Sequence, residues 1–141
     1  MKKKFLIASH GNLASGLQNS IEILSNRGNE LSVINAYITS DDYTDQITDF
    51  INNLSDNEQG IIFTDLYGGS VNQKVVNEVI SSNKANVFVI SNTNLAVVLS
   101  VLFAIEDVFT DEILEGYIKD SNVSLVKTII KTDDNDLDSF F

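Results

Sequence analysis

Four times along this chain a short apolar run gives way to a segment of helical period, and that alternation restricts the fold more than any other feature. The runs are Phe5-Leu6-Ile7-Ala8, Leu31 to Tyr37, Ile61-Ile62-Phe63-Thr64 and Val87-Phe88-Val89-Ile90. The first, third and fourth are near-continuous in apolar residues, the pattern of strands buried on both faces of a sheet. Leu31 to Tyr37 alternates apolar and polar residues and reads as a strand with one face less covered. Strand–helix alternation predicts an α/β fold with a mostly parallel sheet, helices on both faces and right-handed crossovers. A length of 141 residues suggests one domain, and a chain of that size buries about two-thirds of its unfolded surface.

The helical segments carry their own punctuation. Leu13, Leu17, Ile21 and Leu24 recur at helical spacing, with Asn12 able to cap the start and Gly28 a stop signal. Ser40, Asp41 and Asp42 open a second helix, whose apolar face is Tyr43, Ile47, Phe50, Ile51 and Leu54. A third places Val71, Val75, Val76, Val79 and Ile80 on its inner side. Asn92-Thr93-Asn94 caps a fourth, Leu95 to Ala104, and a short helix follows over Asp111 to Ile118. Val123 to Ile130, rich in β-branched residues, predicts a last strand. Residues 1–131 are expected to form the single domain and 132–141 an acidic tail.

Composition removes several functions. The net charge of −11 leaves no basic stripe to neutralise phosphates, which argues against nucleic acid as a partner. No cysteine means no disulfide and no thiolate chemistry. One histidine and no cysteine make a zinc site a poor fit, so neither a metal nor a cofactor is expected. The apolar run after Met1-Lys2-Lys3-Lys4 is too short for a signal peptide or a membrane span, so the chain reads as soluble and cytoplasmic.

Chemistry collects at two strand ends. The sole histidine, His10, follows the first run and precedes Gly11; Asp65 follows the third and precedes Leu66-Tyr67-Gly68-Gly69-Ser70. If the sheet is flavodoxin-like, with strand order 2-1-3-4, these two strands are neighbours flanking the switch point where such folds bind ligands. Adjacent strands lie about 4.8 Å apart, so the two side chains can hydrogen-bond. A carboxylate on one imidazole nitrogen fixes the tautomer and leaves the other nitrogen as a lone-pair nucleophile. Gly11, Gly68, Gly69 and Ser70 supply permissive backbone and a hydroxyl at a helix start, which favours an anion such as phosphate. Together these parts point to phosphoryl transfer through a phosphohistidine. The spacing of a nucleotide P-loop is missing. Tyr67 reads as a wall of the crevice, and Asp41 and Asp42 as a solvated first turn.

At these residues the sequence resembles the IIA domain of the mannose class of the bacterial phosphoenolpyruvate-dependent sugar phosphotransferase system. The matching segments are Phe5-Leu6-Ile7-Ala8-Ser9-His10-Gly11, Gly60 to Ser70, and Asn94-Leu95. The resemblance implies that His10 takes a phosphoryl group from the phosphocarrier protein HPr and passes it to a IIB protein or domain. It implies that Asp65 bonds the other ring nitrogen and that Ser70 lies near the phosphoryl group. It also implies a homodimer that exchanges a C-terminal strand, added antiparallel at the sheet edge, a role for which Val123 to Ile130 is placed. Membrane association would come only through permease partners. The chain departs from the family where Val71, Asn72 and Gln73 follow Ser70 in place of proline, phenylalanine and asparagine, and where Ala96 follows Leu95 in place of proline.

Three other readings fit parts of the sequence. A similar domain serves a dihydroxyacetone kinase phosphorelay with the same chemistry. A regulatory or dimerisation module could keep the fold without the transfer, although the paired His10 and Asp65 argue against it. A small-ligand-binding domain of the same architecture would need more apolar walls than the expected crevice offers.

Overall fold

The computed structural model describes residues 1–130. Strands β1 (Lys2–His10), β2 (Leu31–Ala36), β3 (Glu58–Thr64) and β4 (Val87–Ile90) form one sheet in the order β2-β1-β3-β4. Every neighbouring pair is parallel, with Ala8 opposite Ile34 and Thr64, and Phe63 opposite Ile90. Five helices connect and cover the strands: α1 (Leu13–Ser25), α2 (Thr44–Asn52), α3 (Ser70–Ser82), α4 (Leu95–Leu102) and α5 (Asp111–Asp120). This is the doubly wound α/β architecture with strand order 2-1-3-4 that the apolar runs predict.

The period of two along each strand divides the core into two layers. Phe5, Ile7, Ile61 and Phe63 face one side and pack with Ala14 and Ile21 of α1, with Val97, Val98, Val101 and Leu102 of α4, and with Leu114 of α5. Leu6, Ala8, Ile34 and Ile62 face the other, against Ile47 and Ile51 of α2 and Val71 and Val75 of α3. The rings of Phe5 and Phe63 stack with centroids 6.5 Å apart across the β1–β3 pair. Ile61, Ile62 and Phe63 are fully buried, and each such side chain contributes about 1.5–3 kcal/mol by leaving water. The central pair, β1 and β3, is thus the most firmly fixed part of the sheet, and both candidate chemical groups hang from its carboxyl end.

Local details differ from the sequence expectation. In α1 Leu17 and Ile21 of the expected stripe pack inward beside Ala14, while Leu13 and Leu24 at its two ends are exposed. Asn12 holds the N-cap position but makes no side-chain cap; Ser9 Oγ accepts the Ala14 amide at 2.8 Å, and Asn35 Oδ1 accepts that of Ser15 at 3.2 Å. The left-handed C-cap of α1 is Asn26, with φ +59°, not Gly28. Helix α2 begins at Thr44, two residues past the acidic pair, because the Asp42 carboxylate accepts the Thr44 amide at 2.9 Å and holds the chain short of the first turn. Ile80 of α3 is exposed rather than inward.

The strand expected over Val123–Ile130 does not join the sheet of its own chain. Residues 122–130 enter no ladder, and Val123, Leu125 and Ile129 are 93, 94 and 86% exposed. A strand is stable only when its N–H and C=O groups find a partner strand, and among the described residues none pairs with it. The outer edge of β4 stays open among the described residues. The acidic tail, 132–141, lies outside the described residues.

Candidate functional site

The central strands deliver His10 and Asp65 to one rim. Asp65 follows the last residue of β3, and its Oδ2 accepts the His10 backbone amide at 2.7 Å and the imidazole Nδ1 at 2.6 Å. The carboxylate side chain is 9% exposed, whereas the imidazole is 45% exposed. An ionised carboxylate only accepts hydrogen bonds, so Nδ1 carries the proton and the neutral ring keeps its lone pair on Nε2. Ser70, the first residue of α3, places Oγ 3.1 Å from Nε2 and donates to it. Asp65 Oδ1 is buried without a hydrogen-bond partner among the described residues.

Two further hydroxyls continue the chain. Tyr37 Oη lies 2.8 Å from Ser70 Oγ and 3.3 Å from Tyr43 Oη. Since Ser70 spends its one proton on Nε2, Tyr37 donates to Ser70 and Tyr43 to Tyr37. The Tyr37 ring leans over the imidazole, with centroids 5.1 Å apart and planes at 36°. Burial, followed by the bond to Tyr37, pushes the Tyr43 phenol above its ordinary range. Tyr37 sits immediately past β2 at φ +68°, a left-handed conformation that costs a bulky residue on the order of 1–2 kcal/mol.

The glycines shape this rim, and their amides are already engaged. Gly11 and Gly68 adopt φ +58° and +75°, open to them without a Cβ clash. The Gly11 amide donates to Ala36 O at 2.8 Å, that of Gly68 to Asn72 Oδ1 at 3.0 Å, and that of Gly69 to Leu66 O at 2.9 Å. A Cβ on Gly69 would stand 3.1 Å from that Leu66 oxygen, so glycine permits the tight approach. Gly69 is the N-cap of α3 and no side chain caps this thirteen-residue helix. The first turn therefore presents its positive end and the Ser70 hydroxyl towards Nε2.

Asparagines brace the loop behind. Asn72 is buried; its Nδ2 donates to Thr64 Oγ1 at 2.8 Å and to Ser91 Oγ at 2.7 Å. Asn92, at φ +53°, donates its amide to Asp65 O at 2.6 Å and accepts the Tyr67 amide on Oδ1 at 2.9 Å. Of the predicted residues, the structure brings His10, Asp65, Gly69 and Ser70 together, with Gly11 and Gly68 turning the chain beside them. Tyr67 is not the wall of the crevice: it is 79% exposed, and Tyr37 fills that place. Sequence reasoning missed Tyr37, Tyr43, Asn72 and Asn92. For Tyr37 a signal existed, because the end of the second run meets the same rim as the ends of the first and third. Among the described residues no group of three or more His, Asp or Glu side chains is placed to hold a metal ion, and no helix is long and apolar enough to cross a membrane.

A family of known proteins shares this arrangement of sequence. The family described as "PTS system fructose IIA component", EIIA-man, matches residues 4–118. The chain matches no curated protein. Among solved structures, one from Klebsiella pneumoniae subsp. pneumoniae, described as a phosphoenolpyruvate-dependent sugar phosphotransferase system (PTS) permease, is 27% identical with a TM-score of 0.74, covering 84% of this chain and 85% of that one. The mannose/sorbose-specific IIA subunit of Enterococcus faecalis is 19% identical with a TM-score of 0.68, covering 94% and 100%. The PTS IIA protein associated with the fucose utilization operon of Streptococcus pneumoniae is 21% identical with a TM-score of 0.68, covering 86% and 89%. The last two are likenesses of fold. The match over residues 4–118 takes in β2, β3, β4, most of β1 and the whole rim, and on it this chain belongs to the fructose/mannose IIA family of the phosphotransferase system.

Proposed function

We propose that this protein is a phosphoryl carrier of sugar uptake, which accepts a phosphoryl group from phospho-HPr on His10 Nε2 and passes it to a IIB protein or domain. The observation that carries the reading is the position of Nε2: a lone pair on an exposed ring, its tautomer set by Asp65, aimed at the uncapped start of α3. Attack by Nε2 on phosphorus would put the phosphoryl oxygens beside the Ser70 hydroxyl and the helix N-terminus, both of which favour negative charge. Asp65 would stabilise the ring as the bond forms and again as it breaks. Gly11, Gly68 and Gly69 would serve the phosphate seat through backbone shape, leaving donation to Ser70 and the first turn of α3.

Residues 1–131 act in this reading as one cytoplasmic IIA domain that reaches a membrane permease only through its partners. Two copies would pair by exchanging Val123–Ile130, an assignment supported by the exposed apolar side chains of that segment and the open edge of β4. The transfer is tested by mixing the protein with phosphoenolpyruvate, the general phosphotransferase enzyme and HPr. The expected product is one acid-labile, base-stable phosphate per chain, absent from His10→Ala and returned to HPr on reversal. Wild-type protein that takes no label, or His10→Ala that still takes it, overturns the reading.

A further inference from the structure

We propose that Tyr37 is a positioning residue of the His10 centre, holding the Ser70 hydroxyl in line with Nε2 so that it meets the phosphoryl oxygens as they arrive. The inference rests on His10 being a phosphoryl acceptor and extends to a residue that the two central strands do not supply.

Three independent observations converge on Tyr37. Its backbone is left-handed at φ +68°, and among the described residues the other three non-glycine residues with positive φ are all asparagine, a residue enriched in this region. A tyrosine kept there is a strained residue over-determined by its surroundings, the kind that collects at functional positions. Its ring leans over the imidazole, with centroids 5.1 Å apart and planes at 36°. Its hydroxyl is the next link after Ser70, and Tyr43, which is buried, backs it in turn.

The order of donors gives the mechanism. In the free protein the protons run from Tyr43 to Tyr37 to Ser70 to the Nε2 lone pair. When Nε2 bonds to phosphorus that lone pair is consumed, and the Ser70 proton loses its acceptor. The nearest new acceptors are the phosphoryl oxygens. Because Tyr37 still donates to Ser70 Oγ, the serine oxygen stays in place while its proton turns, and the donor is aligned before the transfer and not after it. Without the phenol, Ser70 is free to take other rotamers.

The test uses two donors. Phospho-HPr reads the protein-to-protein step, and phosphoramidate reads the intrinsic reactivity of His10: its P–N bond breaks, the already protonated nitrogen leaves as ammonia, and the Nε2–P bond forms. Tyr37→Phe keeps the ring and removes one oxygen. It is expected to lower kcat with phospho-HPr by about 5- to 20-fold with KM unchanged, and to slow labelling by phosphoramidate by a similar factor. Tyr37→Phe/Ser70→Ala is expected to be no slower than Ser70→Ala alone, because the phenol acts through the serine. An unchanged kcat, a change confined to KM, or losses that multiply in the double variant overturn the role of Tyr37. If the wild type is labelled by phosphoramidate and not by phospho-HPr, the carrier reading falls and the phosphoramidate arm still decides Tyr37. If neither donor labels His10, both fall.

Discussion

One oxygen of Asp65 holds His10 twice: Oδ2 accepts the backbone amide at 2.7 Å and the ring Nδ1 at 2.6 Å. Position and orientation of the imidazole are therefore set by the same atom. An amide in place of the carboxylate can accept both bonds, but it puts an N–H2 group where the buried and unpartnered Oδ1 stands. Asp65→Asn is expected to lose about 1–3 kcal/mol of stability, read from urea unfolding, and to slow phosphoryl acceptance by more than about tenfold, since a neutral partner stabilises the charged ring less. Transfer kinetics equal to wild type would remove the acid from the mechanism.

The start of α1 discriminates between two caps. Ser9 is fully buried and caps the Ala14 amide, whereas Asn12 makes no cap. Ser9→Ala is expected to cost about 1–2 kcal/mol, and Asn12→Ala a few tenths at most. Denaturant midpoints with the reverse order would mean that the cap changes hands in solution.

Asn72 closes three bonds at once, to Thr64, Ser91 and the Gly68 amide. Asn72→Ala strands these groups beneath the loop and is expected to cost about 2–4 kcal/mol. Hydrogen exchange should rise at Gly68 before it rises in β3. Uniform acceleration across the sheet would show that the loop is not a separate unit.

Asp42 carries a pH dependence. The Thr44 hydroxyl, then the Thr44 amide, then Lys74, pull its carboxyl down to about 2. A carboxylate lowered in the folded state adds stability above its unfolded pKa, near 4, and loses it as pH falls towards the folded value. Melting temperatures of the wild type are expected to fall more steeply than those of Asp42→Asn between pH 4 and 2. Parallel curves would assign the acid no part in stability.

The segment after α5 gives a test of assembly. Under the proposed strand exchange, a chain ending at Asn122 loses the exposed Val123, Leu125 and Ile129 and should sediment as a monomer, while the full chain sediments as a dimer. Equal sedimentation of the two would exclude this segment from the interface.

Much of this was legible in the residues. Phe5 to Ala8 and Ile61 to Thr64 announced buried parallel strands because both of their faces are covered, and from the strand order the meeting of His10 with Asp65 followed. The phase of α1 was legible at Leu17 and Ile21 but not at its ends: Leu13 and Leu24 are larger than Ala14, yet the turn at Gly11 and the Ser9 cap aim the smaller residue inward. The placement of Tyr37 at the rim was legible from the strand order, but the direction of its ring was not. In the one-dimensional pattern it is the last residue of an alternating strand, and only its left-handed backbone swings the ring over the neighbouring strand end. Val123 to Ile130 has a strand's composition, but composition alone does not supply the partner strand that pairing needs.

The covered side of the imidazole has a kinetic consequence. With Nδ1 held by Asp65 and the Tyr37 ring leaning over the imidazole, Nε2 is the one ring nitrogen left to react. Under the proposed relay, that atom cannot seat its giver and its taker together. The two must queue, each leaving before the other docks, and initial-rate plots for the pair should run as parallel lines, with an excess of either protein inhibiting the other.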